Sequence, residues 1–231
     1  MKKNVTVIGA GIVGMATASY LRRDGHDVTV VTQHPPGEYC SSGNAGMLNN
    51  AGCVPQPMPG VVWKVPGYLI DPLGPLVVRW PYMIKAMPWM LRFLANANAS
   101  QAEHASIALY SLIRDTVPTY EELVKWAGVT ELVRRSGYLV AYDSERSYQD
   151  DALAWRLRRD RGVKTEVLDG AGIRRLMPQL GPDYVRGVHV LDQGYVANPE
   201  RLVKALAARF QKDGGVVLQR KVLDIETGER G

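Results

Sequence analysis

The chain has 231 residues, of which 46% are hydrophobic and 22% charged, with a formal net charge of +5. That balance excludes a disordered segment, which would lack the apolar content to bury a core, and leaves room for one large or two small domains. Cys40 and Cys53 have neither C-x-x-C spacing nor a histidine cluster beside them, so no metal site is expected and reduced thiols are the default.

Lys2-Lys3 runs into an apolar strand and a glycine turn rather than an apolar helix with a cleavage site, so no secretory leader is expected and the location reads as cytoplasmic. The strand covers residues 4–8 and breaks at once into G-x-G-x-x-G at Gly9, Gly11 and Gly14. Gly9 permits the tight turn, Gly11 lets the backbone approach a pyrophosphate, and Gly14 lets helix and strand pack closely. A helix is expected over 12–23, with its small face (Gly14, Ala16, Ala18) against a sheet and Gly25 as its stop. The phosphate of a dinucleotide would then lie on the N-terminus of that helix, beside Ala10, Ile12 and Val13.

A second strand follows at 28–31 and completes a β-α-β unit. Such strands normally end in Asp or Glu, whose carboxylate accepts hydrogen bonds from the adenosine ribose. Here Thr32 and Gln33 stand at that end, and Asp27 precedes the strand. A lost charge-assisted bond weakens binding by roughly 1.5 to 3 kcal/mol unless Thr32 or Gln33 supplies a neutral one. A 2′-phosphorylated cofactor would want an arginine beside this position; Gln33-His34-Pro35 offers none, and NADP is not favoured.

The loop over 36–48 is rich in small residues, which let main-chain N–H groups reach a flat ring or an anion. The segment 61–93 is rich in Trp, Tyr, Met and Leu, but Pro66, Pro72, Pro75, Pro81 and Pro88 interrupt it and cations recur, so it is not a spanning helix. Over 82–96 the pattern predicts an amphipathic helix kinked near Pro88, with Met83, Met87, Met90 and Leu94 on one side. Packing inside a substrate domain is its expected role, and peripheral membrane docking the alternative.

Further along, helices are expected at 105–126, 147–161 and 170–177, and strands at 132–142, 163–168 and 185–191. The arginines of Arg156-Leu157-Arg158-Arg159-Asp160-Arg161 read as a solvated helix face, since no nucleic-acid motif accompanies them, and no nucleic-acid partner is expected. Asn198 as N-cap before Pro199 opens a helix that runs to residue 212 and stops at Gly214-Gly215. Short strands are expected at 216–218 and 222–225.

The glycine turn at the N-terminus, the β-α-β unit and then S-x-x-N-A-G over 41–46 together resemble the FAD-dependent amine and amino-acid oxidoreductases, most closely the bacterial D-amino-acid dehydrogenases. Arg135-Ser136-Gly137-Tyr138-Leu139-Val140 and Asp192-Gln193-Gly194-Tyr195-Val196-Ala197-Asn198-Pro199 extend the likeness over essentially the whole chain. Thr32 is the clearest departure. The resemblance implies an α/β fold, a Rossmann-like FAD/NAD(P)-binding domain with an α+β substrate domain. It divides the chain into a first FAD segment at 1–58, a partial substrate domain at 59–194 and a returning FAD segment at 195–231.

It also implies that Ser41, Ser42, Asn44, Ala45 and Gly46 lie along the pyrophosphate and flavin, and that the backbone of Val222 meets the adenine. With Gly9, Ala10, Gly11, Ile12, Val13, Gly14, Thr32 and Gln33 these make up the expected cofactor site. Catalytic residues stay unassigned, and Tyr68, Arg79 and Tyr82 are candidates for a substrate pocket.

The implied chemistry is hydride transfer from the amino acid's α-carbon to flavin N5, followed by hydrolysis to a 2-oxo acid and ammonia. A membrane quinone or another acceptor would take the electrons, which makes attachment to the inner face of the cytoplasmic membrane the alternative location. Glycine, hydroxyproline or opine-type amines fit the same pattern, as does a nucleotide-binding remnant without catalysis. The resembled family continues for nearly as long again and carries its substrate-carboxylate anchors there, so little turnover is expected from these residues alone.

Overall fold

A computed structural model describes residues 1–70, 77–226 and 228. In chain order the first elements are β1 (Asn4–Ile8), α1 (Ile12–Arg23), β2 (Asp27–Thr32), β3 (Met47–Leu48), α2 (Val61–Ile70), α3 (Trp80–Ala95), α4 (Ala99–Ile113) and α5 (Thr116–Ala127). There follow β4 (Val133–Arg135), β5 (Tyr138–Tyr142), α6 (Glu145–Asp150), α7 (Ala152–Asp160), β6 (Thr165–Asp169) and α8 (Gly170–Leu176). The last are β7 (Arg186–Val190), β8 (Gly194–Val196), α9 (Pro199–Lys212) and β9 (Val216–Gln219).

These elements form two compact units. One consists of Met1–Leu48, Thr116–Ser136 and Gln193–Gly231. Its main sheet is parallel, in the order β1-β2-β9, with Val7 beside Val30 and Thr32 beside Gln219. Alternate residues of β2 (Val28, Val30) point into a core shared with Met15 and Ala18 of α1 and with Leu202, Val203, Leu206 and Phe210 of α9. Asn198 caps α9 by accepting from the Arg201 amide at 2.9 Å, with proline at the first helical position, as the sequence predicts. Phe210 explains Gly215, where a Cβ would lie 2.2 Å from its ring. A small antiparallel sheet, β3-β8-β4, completes this unit.

The other unit consists of Asn49–Asp115 and Gly137–Asp192. Its antiparallel sheet runs β5-β7-β6, and its core gathers Ala51, Tyr142, Trp155, Val163, Val188 and Val190.

Several expected elements come out differently. The helix expected at 105–126 is two, α4 and α5, because Pro118 has no amide to continue a helix through its own position and instead opens a new one. The strand expected at 132–142 is broken by Gly137, whose φ is +66° and where a Cβ would meet the Val190 carbonyl at 2.5 Å. The helix expected at 147–161 is divided between α6 and α7 and begins earlier, at a Ser144 cap. Residues 222–225 form no strand: Val222, Leu223 and Ile225 are exposed, and the ladder with β2 ends at Gln219.

The arginine run of α7 is not simply solvated. Arg158 donates to the Ala51 carbonyl at 3.1 Å and lies over the Trp155 ring, while Arg161 pairs with Glu103. The helix expected at 82–96 exists as α3; none of its residues is fully buried, with Met83, Ala86, Met90 and Phe93 half-buried on one side and, of the expected face, Met87 and Leu94 exposed. Pro72 and Pro75 lie outside the described residues. Among the described residues no helix is long and apolar enough to cross a membrane.

Candidate functional site

The glycine turn sits at the end of the parallel sheet, where β1 gives way to α1. Gly9 has φ +101°, a left-handed value that a side chain would resist, and its amide donates to the Val31 carbonyl at 2.8 Å. At Gly14 a Cβ would fall 1.9 Å from the Gly9 carbonyl oxygen, so only glycine lets α1 close onto the turn. Helix geometry leaves the first-turn amides of α1 without intrahelical acceptors, and that of Ile12 is taken by Ser41 Oγ at 2.9 Å. Ser41 is itself buried, which fixes the start of the 41–46 loop on the helix.

The rest of that loop is held by a mixture of side-chain and backbone bonds. Asn44 Oδ1 accepts from the Gly46 amide at 2.9 Å. Gly46 has φ +62°, and a Cβ there would lie 2.3 Å from the Val196 carbonyl. Ser42 donates to Glu200 Oε2 at 2.7 Å. Lys204, which also binds Glu200, and then Ser42 hold that carboxyl below the ordinary glutamate range.

Above the turn lies a cavity of about 490 Å³. Of the expected site residues, Gly9, Ala10, Gly11, Thr32, Gln33 and Val222 line it together. Ile12, Ser41, Asn44 and Gly46 line a smaller cavity of about 90 Å³ with Tyr120, Val196 and Leu202. Val13, Gly14, Ser42 and Ala45 line neither; Val13 is exposed and Gly14 acts through backbone packing. Thr32 is buried, and its hydroxyl donates to the His34 carbonyl at 2.8 Å.

The larger cavity has lining that the sequence reading did not include. His34 and Tyr39 stack on one another with ring centroids 5.1 Å apart, and Arg220 lies beside Val222. Parallel pairing of β9 on β2 carries Arg220 there, its amide donating to the Thr32 carbonyl at 2.8 Å. The arginine missing from residues 33–35 thus arrives from a strand near the other end of the chain. Of the substrate-pocket candidates, Arg79 and Tyr82 are exposed and Tyr68 is half-buried. Among the described residues no group of acids, histidines and cysteines could hold a metal.

A glycine turn, a helix start and a cavity running to the end of the second strand make a dinucleotide-shaped site, and comparison with known proteins specifies which. Residues 4–231 match the family of FAD dependent oxidoreductases. The chain belongs to that family. Relatives include a D-amino-acid oxidase of Bradyrhizobium diazoefficiens, 37% identical over 227 residues that cover 97% of this chain and 54% of that protein. A D-amino acid dehydrogenase of Rhizobium johnstonii is 29% identical over 243 residues, covering 97% of this chain and 55% of its own length. The chain therefore spans about half the length of the curated relatives it matches.

Among solved structures, glycine oxidase from Bacillus cereus superposes with a TM-score of 0.66 at 18% identity, over 99% of this chain and 49% of that one. L-Proline dehydrogenase from P. horikoshii gives 0.61 at 15%, over 94% and 44%. At those identities the likeness is one of fold, that of the FAD dependent oxidoreductases, and FAD is the family's cofactor. The residues present fit that group: a Cβ at residue 14 would strike the Gly9 carbonyl, so the close turn requires glycine there, and Gly9, Ala10 and Gly11 line the cavity without bulk.

Proposed function

We propose that this FAD dependent oxidoreductase oxidises the CH–NH2 group of D-amino acids to 2-oxo acids and ammonia. The reading is carried by the 37% identity to a D-amino-acid oxidase across nearly the whole chain, and supported by the gathering of Gly9, Gly11, Thr32, Gln33 and Val222 around one cavity. Bound FAD supplies the hydride acceptor. The chain's own residues bind and orient it: the 9–14 turn takes the pyrophosphate, Ser41 fixes the helix start, the 44–46 loop lies toward the flavin, and the Val222 backbone receives the adenine. In this scheme 1–58 and 195–231 hold the cofactor, and 59–194 faces the substrate apart from 116–136, which packs with the nucleotide unit.

The proposed setting is the cytoplasm, with α3 attached to the inner face of the cytoplasmic membrane and a quinone there as electron acceptor. Its support is the exposed apolar stripe Trp80, Ile84, Met87, Leu91 and Leu94 on α3.

The test is to mix purified chain with FAD, remove free cofactor by gel filtration and record the spectrum. Retained flavin absorbance is the expected result; a colourless protein refutes the cofactor assignment. Anaerobic bleaching of that absorbance by D-alanine, compared with L-alanine, glycine and hydroxyproline, then tests the substrate class.

A further inference from the structure

At the ribose end of the larger cavity the charge is reversed from what a dinucleotide turn of this kind uses. The Asp or Glu that usually ends the second strand accepts from ribose hydroxyls and disfavours a 2′-phosphate, whereas a nearby arginine accommodates one. Here the strand ends in Thr32, whose hydroxyl hydrogen is already given to His34, and none of the described residues lining the cavity is acidic. Arg220 stands in the same cavity as Thr32 and Gln33, held there by the register of β9 on β2. One guanidinium nitrogen, Nη1, donates to the Gln219 carbonyl at 2.9 Å, and the planar fork has further donors that suit phosphate.

We propose that Arg220 reads the adenosine ribose in this pocket, and that it gives the pocket a preference for adenosine nucleotides with an anionic group on the ribose 2′ position. The inference rests on the assignment of this cavity to the adenosine end of the cofactor. With an unsubstituted ribose, Arg220 donates to the hydroxyl oxygens from which a carboxylate would instead have accepted. With a 2′-phosphate it gains a charge-assisted contact that the acidic relatives of this turn cannot make.

Calorimetric titration of 5′-AMP and of adenosine 2′,5′-bisphosphate into the purified chain isolates that contact, because the ligands differ only in the 2′-phosphate. The bisphosphate should bind roughly tenfold tighter. R220A should bring the ratio close to one, R220K should keep part of the preference, and R220E should invert it, each with an unchanged circular dichroism spectrum. A preference that survives R220A reflects general attraction to a chain of net charge +5 and overturns the proposal. Equal or weaker binding of the bisphosphate overturns it too, while leaving the nucleotide site standing if 5′-AMP binds. Binding of neither ligand removes both the Arg220 inference and the nucleotide assignment beneath it.

Discussion

Tyr142 lies in the core of the unit built around β5, β7 and β6, where its hydroxyl donates to Asp151 Oδ2 at 2.9 Å and accepts from Trp155 Nε1 at 2.7 Å. Burial, with the adjacent Asp151 carboxylate adding to it, pushes its pKa up to about 12. A tyrosine in the unfolded chain ionises near 10. Between those values the unfolded state loses a proton that the folded state keeps, so stability should be steady below about pH 10 and fall as the pH rises toward about 12. Urea denaturation followed across that range checks it. Y142F should reduce the alkaline slope, leaving the part due to Tyr120 and Tyr138, which burial also pushes up, and cost about 1 to 3 kcal/mol at neutral pH, because the buried Trp155 N–H loses its acceptor. A variant with wild-type stability at neutral pH would show that the indole finds another partner.

At this scale legibility depended on how local the constraint is. Gly9 and Gly14 were readable because each answers a steric demand within a few residues of itself, whereas a Cβ on Gly11 would meet only Ser41 Oγ, at an ordinary 3.4 Å. Thr32 was readable as a departure because its place at a strand end follows from the β-α-β spacing. Arg220 was not, since nothing in Gln219-Arg220-Lys221 says which strand it will lie beside. Only the pairing of Thr32 with Gln219 does.

Among the elements, α3 carries the sharpest consequence. Trp80, Ile84, Met87, Leu91 and Leu94 are all exposed, and their 4-3-4-3 spacing sets them in one stripe along the helix. The charges of α3 are Lys85 and Arg92, with no acid. Two such helices would repel one another, whereas an anionic bilayer surface complements both the cations and the stripe. The chain should therefore sediment with vesicles containing phosphatidylglycerol and much less with phosphatidylcholine alone. K85Q/R92Q should reduce that binding roughly tenfold and I84E/L91E should abolish it, without loss of fold. Equal sedimentation with both vesicle types, or a stable dimer in solution that I84E/L91E dissolves, would refute the membrane reading.

The helix itself was legible from its period, but its exposure was not, because periodicity marks an apolar face without saying what covers it. A similar limit explains the broken elements. Hydrophobic pattern runs smoothly through 105–126 and through 132–142, and the breaks fall just before Pro118, in the first turn of α5, and where Gly137 must avoid the Val190 carbonyl.

For the whole molecule, the relevant fact is that the chain spans about half the length of the curated relatives it matches. Orientation of substrate against cofactor is worth up to roughly 7 to 11 kcal/mol of barrier, and we propose that residues of the relatives' unmatched half contribute to it. Residues 1–231 should consequently hold FAD yet reduce an artificial dye with D-alanine only weakly. Robust D-alanine-dependent dye reduction by this chain would show that it orients its substrate unaided.

By itself the sequence determined the β-α-β start, the glycine turn, the Asn198-Pro199 helix entry and, through the 41–46 motif, the FAD family. The first three are set by local sterics, capping and periodicity, which act over a few residues and are written in their order; the family came from what the 41–46 motif resembles. Tertiary structure alone decided that residues 116–136 pack with the nucleotide unit, that one apolar stripe of α3 stays exposed, and that Arg220 reaches the cavity opened by the first glycines. Those outcomes depend on strand register and on which apolar faces meet, and such pairings between distant segments leave no mark in either segment alone.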